Sequence, residues 1–246
     1  MTQHTILSVH GLTKSYRKDQ VELPVLRGID FEVDRGKVSA LVGRSGSGKS
    51  TLMHLMAALD VPDAGEIRFG DRRIDNASRG DRDRYRNHDI GVIFQFYHLL
   101  PELTALENVL APAMIGRSTM QYLRERATLK RRASELLERV GLSHRASHRP
   151  SEMSGGEIQR AAIARSLINA PKVLLADEPT GNLDVETGNE ILSLLRDLNR
   201  QDELTILIIT HDDAIAATAD VCHRMIDGIL EEQPSTTRKI KPSRAA

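Results

Sequence analysis

Nine consecutive residues constrain the fold more than any others in this chain: Gly43-Arg44-Ser45-Gly46-Ser47-Gly48-Lys49-Ser50-Thr51. The apolar run Val38–Val42 precedes them, and residues 52–59 follow with apolar side chains at helical spacing. Strand, glycine-rich turn and helix, in that order, is the context in which GxxxxGK[ST] folds as a phosphate loop. The glycines let successive backbone N–H groups converge on an anion, and the helix start adds its positive dipole end. Lys49 then reaches the β- and γ-phosphates, and the Ser50 hydroxyl is a ligand for Mg²⁺. The stretch predicts an α/β domain that binds a nucleoside triphosphate.

At 246 residues the chain is one large domain, or a core with an inserted subdomain. A formal net charge of zero gives no global field toward nucleic acid or an anionic membrane, so no nucleic-acid partner is expected. A lone cysteine, Cys222, excludes an intramolecular disulfide and any multi-cysteine metal site, and fits a reducing compartment. The first residues lack the basic and apolar regions of a signal peptide. No window approaches the ~20 apolar residues that a membrane span needs, so a membrane role is expected to run through a partner chain.

Along the chain, residues 6–9 and 30–33 read as strands, with a turn-rich linker over 14–24. Tyr16 stands in that linker, either as a stacking platform for a base, worth about 1–3 kcal/mol, or as a half-buried loop tyrosine. A turn over 60–65 leads to a strand at 66–70, a charged and solvated segment at 75–87, and a short strand at 90–94 ending at Gln95. From Thr104 to Gly141 the pattern is helical throughout, with Leu123, Ala127, Leu129, Ala133, Leu136, Leu137 and Val140 on an apolar face. Ser154-Gly155-Gly156-Glu157 has the spacing of a capping box. Its two glycines expose N–H groups that suit an anion, although a plain capped helix explains them equally.

The apolar strand 172–176 ends in Asp177-Glu178, which sets two carboxylates at the carboxyl edge of the sheet, beside the phosphate loop in doubly wound folds. Asp177 suits Mg²⁺, which takes oxygen ligands, and leaves Glu178 to polarise a water. A turn over 181–184 is capped by Asp184 and opens a helix, and the strand over 204–210 delivers His211 to the same edge. A short helix over 213–219 and the segment 221–226 follow.

In this order, the phosphate loop, Gln95, Ser154-Gly155-Gly156-Glu157, Asp177-Glu178, Gly181-Asn182-Leu183-Asp184 and His211 resemble the nucleotide-binding domain of ABC transporters, over roughly residues 4–230. The resemblance implies a P-loop NTPase (RecA-like) core at 4–94 and 166–230, a small antiparallel β subdomain and an inserted α-helical subdomain at about 95–165. Residues 231–246 are polar and Pro/Lys/Arg-rich and are expected to form a disordered tail. It further implies a homodimer holding two ATP molecules with Mg²⁺. Residues 43–51 and the adenine-stacking Tyr16 of one subunit would then face Ser154, Gly155, Gly156 and Glu157 of the other. Glu178 would be the general base, and His211 would contact the γ-phosphate. Gln95 would join Ser50 and Asp177 at the metal, and Asp184 would carry communication across the dimer. An integral membrane permease would dock on residues 95–100 and the helical insertion, at the cytoplasmic face of the inner membrane. The wording of 95–101, 104–109, 148–152 and 177–184 is similar to the branch of the family that serves lipoprotein release, with macrolide-type exporters a near relative. Met153 and Ile158 depart from the usual pattern beside the trans contact, but neither removes a ligating group. A soluble ABC ATPase without transport would need a coiled-coil insertion, a second cassette or basic patches, and this sequence has none of them.

Overall fold

The computed structural model describes residues 4–18 and 21–231. The expected disordered tail therefore lies, apart from Glu231, outside the described residues. A six-stranded sheet forms the centre. Its strands are β3 (Val38–Val42), β6 (Ile90–Ile93), β7 (Val173–Asp177), β8 (Thr205–Thr210), β9 (Val221–Ile226) and β10 (Ile229–Leu230), in the order β10-β9-β3-β8-β7-β6. Every residue of β3, β7 and β8 is buried, which is why these strands read as unbroken apolar runs rather than alternating ones. β6, β7, β8, β3 and β9 run parallel. Their register sets Val42 opposite Thr210 and Asp177 opposite Ile209. Gly43, Glu178 and His211, each the next residue after its strand, therefore leave the sheet on one edge.

A second, four-stranded antiparallel sheet pairs β1 (Thr5–Lys18), β2 (Val21–Asp34), β4 (Ala64–Phe69) and β5 (Arg72–Arg73) in the order β2-β1-β4-β5. Here the expected linker over 14–24 is corrected: Tyr16 lies on β1, opposite Leu23 of β2. Pro24 disguised the strand, but β2 is the sheet edge, where a residue without an N–H breaks no ladder. The segment at 75–87 is solvated at every position but Tyr85, yet it is not without structure. It contains α2 (Arg79–His88), capped by Ser78, whose Tyr85 is fully buried and donates its hydroxyl to the Met56 carbonyl at 2.8 Å.

The phosphate loop leads into α1 (Lys49–Met56). The stretch predicted as one helical pattern from 104 to 141 is two helices, α3 (Ala105–Ile115) and α4 (Thr119–Arg139), broken at Gly116. Ser118 caps the second by accepting from the Gln121 N–H. Leu129, Ala133, Leu136 and Leu137 are buried as expected, whereas Leu123 is 58% exposed and Ala127 is also exposed. α5 (Gly155–Leu167) runs across residue 165 and shares one apolar cluster with α3, α4, β7 and β8. α6 (Val185–Asp202) and the one-turn α7 (Asp213–Ala216) complete the fold; α7 is shorter than the expected 213–219.

Candidate nucleotide-binding site

A cleft of about 970 Å³ opens at the carboxyl edge of the parallel sheet. It is lined by Arg44, Ser45, Gly46, Gly48, Lys49, Ser50 and Thr51 of the loop and by Tyr16, Gln95, Glu178 and His211, residues that are scattered over nearly 200 positions of sequence. Gly43 and Ser47 form the buried back of the loop. Gly48 precedes α1 with φ 103°, a backbone that an L side chain resists. Lys49 is buried, and its ammonium donates to the carbonyls of Gly43 (2.8 Å) and Arg44 (2.9 Å). Burial pushes its pKa down, against the pull of the Glu178 and Asp177 carboxylates.

Asp177 ends β7 inside the protein, and burial holds its carboxyl above the usual range, with the Ser50 hydroxyl bond opposing and Glu178 adding to the rise. Its Oδ1 is buried without a hydrogen-bond partner. A desolvated carboxylate oxygen beside a serine hydroxyl is a donor set that a hard divalent cation fits. Glu178 takes a positive φ of 45°. Its Oε1 lies 2.7 Å from His211 Nδ1, and its Oε2 accepts from the Thr210 hydroxyl at 3.3 Å. The carboxylate is thus aimed along the sheet edge by two residues from the end of β8. The Gln95 carbonyl accepts from Asn182 Nδ2 at 2.8 Å, tying β6 to the turn before α6.

Ser154 to Glu157 do not line this cleft. Ser154 caps α5 in a complete capping box, accepting from the Glu157 N–H at 3.3 Å while its own N–H donates to the Glu157 carboxylate at 2.8 Å. Arg145 donates to the same carboxylate at 2.7 Å. Asp184 caps α6 and lines a separate pocket. The loop after Gln95 holds two successive left-handed residues, Tyr97 and His98, whose carbonyls both accept from the Arg165 guanidinium of α5, at 2.7 Å for Tyr97.

Three residues at the site escaped the sequence reading. Val25 of β2 lines the cleft and carries no local signal. Lys14 and Asp60 surround Tyr16, whose hydroxyl donates to Asp60 Oδ2 at 2.8 Å and whose ring carries the Lys14 ammonium at 5.1 Å. Two-residue alternation would have placed Lys14 beside Tyr16 had the segment been read as a strand.

A glycine loop of the phosphate-binding pattern, a buried carboxylate at the end of β7, and a glutamate–histidine pair on the same edge define a nucleoside-triphosphate hydrolase. The family model described as ABC transporter matches residues 26–181. The chain belongs to the ABC transporter family and is an ATPase of that class. It is 67% identical, over 94% of its length and 90% of the relative's, to the lipoprotein-releasing system ATP-binding protein LolD 2 of Rhodopirellula baltica. It is 46% identical to LolD of Shewanella frigidimarina, over 96% of both chains. Among solved structures it matches the dimeric structure of MJ0796, a bacterial ABC transporter cassette, with a TM-score of 0.82 and 34% identity, over 92% of this chain and 97% of that one. A post-hydrolysis state of MJ0796 bound to ADP and Pi matches at 0.81. Among the described residues no helix is long and apolar enough to cross a membrane.

Proposed function

We propose that this chain is the ATP-hydrolysing subunit of a lipoprotein-releasing system, working as a homodimer on the cytoplasmic face of the inner membrane. The observation that carries the reading is its likeness, over nearly the whole chain, to proteins named for that system. Each cleft takes one ATP. The loop N–H groups and Lys49 hold the phosphates, and the half-exposed Tyr16 ring receives the base. Ser154, Gly155, Gly156 and Glu157 of the second subunit close the cleft from outside, which accounts for an α5 start that is well capped yet absent from the chain's own site.

Glu178 accepts a proton from the attacking water. His211 and Thr210 hold its carboxylate in place, and His211 also reaches toward the γ-phosphate. Mg²⁺, when bound, neutralises phosphate charge, and Ser50, Gln95 and Asp177 are the residues that would hold it. The loop over 95–100 and the helical segment that follows receive a cytoplasmic helix of the permease. Exposed Phe96 and Leu100 support that surface, and Asp184 relays the state of one site toward the other.

The test is a mild-detergent pulldown of tagged Glu178→Gln protein with ATP. Recovery of an integral membrane chain that carries a large periplasmic domain and no ATPase of its own is expected. A soluble dimer with no membrane chain would discard the transport reading while leaving the ATPase intact.

A further inference from the structure

The surroundings of Tyr16 are more elaborate than a loop tyrosine requires. Lys14 Nζ donates to Asp60 Oδ1 at 3.2 Å and to the Val61 carbonyl at 2.7 Å, and its side chain is only 12% exposed. Asp60 Oδ2 takes the Tyr16 hydroxyl, so one carboxylate bridges the ammonium and the ring. Asp63 completes the attachment by accepting from the Ser15 N–H at 2.5 Å. Asp60 and Asp63 lie in the turn that joins α1 to β4. The tip of β1 is thereby fastened to the far end of the helix that the phosphate loop begins.

We propose that Lys14 and Asp60 are positioning residues for the nucleobase. They fix the tilt of the Tyr16 ring and its separation from the phosphate loop, and this inference rests on the reading of Tyr16 as the base platform. A cation over one face of an aromatic ring is attracted to it, so Lys14 both occupies that face and leaves the other for an incoming base. Asp60 holds the hydroxyl as a donor. Burial first, and the Asp60 bond and charge next, push that hydroxyl's pKa above its usual value. Neither side chain lines the cleft around the phosphate loop, so their effect is expected on the base rather than on the phosphates. Because stacking requires only a π-face, the device does not choose adenine over guanine.

Titration calorimetry of the full chain with ATP and with inorganic triphosphate tests this. Tyr16→Ala is expected to weaken ATP about tenfold, within the range that one stacked base supplies, and to leave triphosphate unchanged. Lys14→Met and Asp60→Asn should each weaken ATP several-fold with triphosphate binding intact, whereas Lys14→Arg, which keeps a cation over the ring, should retain the parent ratio. In the Tyr16→Ala background, Lys14→Met should add nothing, because both act through one contact. An equal loss for both ligands in Lys14→Met and Asp60→Asn, or no loss for either, overturns the positioning role while a selective Tyr16→Ala effect leaves the base platform standing. If Tyr16→Ala itself leaves the ATP-to-triphosphate ratio unchanged, the platform reading falls, and the proposal with it.

Discussion

Two alanine substitutions in the phosphate loop separate backbone strain from crowding. Gly46 and Gly48 both take positive φ, 80° and 103°. A Cβ at Gly46 meets nothing within 4 Å, whereas at Gly48 it comes 2.9 Å from Leu26 Cδ2 and 3.0 Å from the Val25 carbonyl. Forcing an L side chain into such a backbone costs about 1–2 kcal/mol, and the lost freedom of the unfolded chain returns about 0.4–1 kcal/mol. Gly46→Ala should therefore destabilise by about 1 kcal/mol. Gly48→Ala adds overpacking against a second sheet, typically about 1–3 kcal/mol, for a total near 3 kcal/mol. At roughly 2–4 °C per kcal/mol for a chain of this size, the melting temperature should fall by about 3 °C and about 9 °C. Thermal and urea unfolding without nucleotide measure both. Equal losses, or a larger loss at Gly46, would refute the argument that β2 presses on the start of α1.

Lys49→Ala should lose about 100-fold in ATP affinity, since charge-assisted bonds to phosphate are the strong ones; unchanged calorimetric affinity would sink the phosphate-loop assignment. Asp177 has a folded-state pKa raised by burial. Its contribution to stability is fully present below the unfolded value of about 3.9 and is lost as pH rises through the folded value. Asp177→Asn should then be more stable than the parent at pH 7 without nucleotide, and chemical denaturation from pH 4 to 7 should show the parent's decline absent in the variant. Arg165→Met should free the loop at Tyr97 and His98, raising amide hydrogen exchange over residues 97–100 about tenfold, because it removes bonds from a charged donor worth about 1.5–3 kcal/mol. Unchanged exchange would show that the loop holds its shape without α5.

What was legible in the sequence was local. The phosphate loop, the capping box at Ser154, the cap at Asp184 and the buried strands ending at Asp177 and Thr210 each carry their signal within ten residues, and all fold as read. Residues 6–9 and 30–33 fold as strand as read, but the rest of the β1–β2 pair was missed because its evidence is non-local: a 14-residue strand with charged and proline positions becomes a strand only when its partner arrives. α2 was missed because one buried tyrosine in an otherwise polar ten-residue helix gives almost no periodicity. Leu123 fits the apolar spacing of α4 but is exposed, so the pattern overstated the core. Asp60 could not be linked to Tyr16 from sequence, since 44 positions separate them.

The strand order also bears on how the chain is made. β3, which carries the phosphate loop, has β8 and β9 as its neighbours, and the turn after β9 closes on the loop through the Gly228 N–H to the Ser47 carbonyl at 3.0 Å. Between the appearance of Val42 and that of Ile226, a ribosome adding about 5–20 residues per second needs roughly 10–40 s. For most of that interval, until β8 is made, the apolar strand and its glycine loop have neither of their parallel neighbours. Nascent chains of this protein should depend on chaperones for most of their synthesis. A chain truncated before β9 would lack both the outer neighbour of β3 and the Gly228 bond to the back of the phosphate loop.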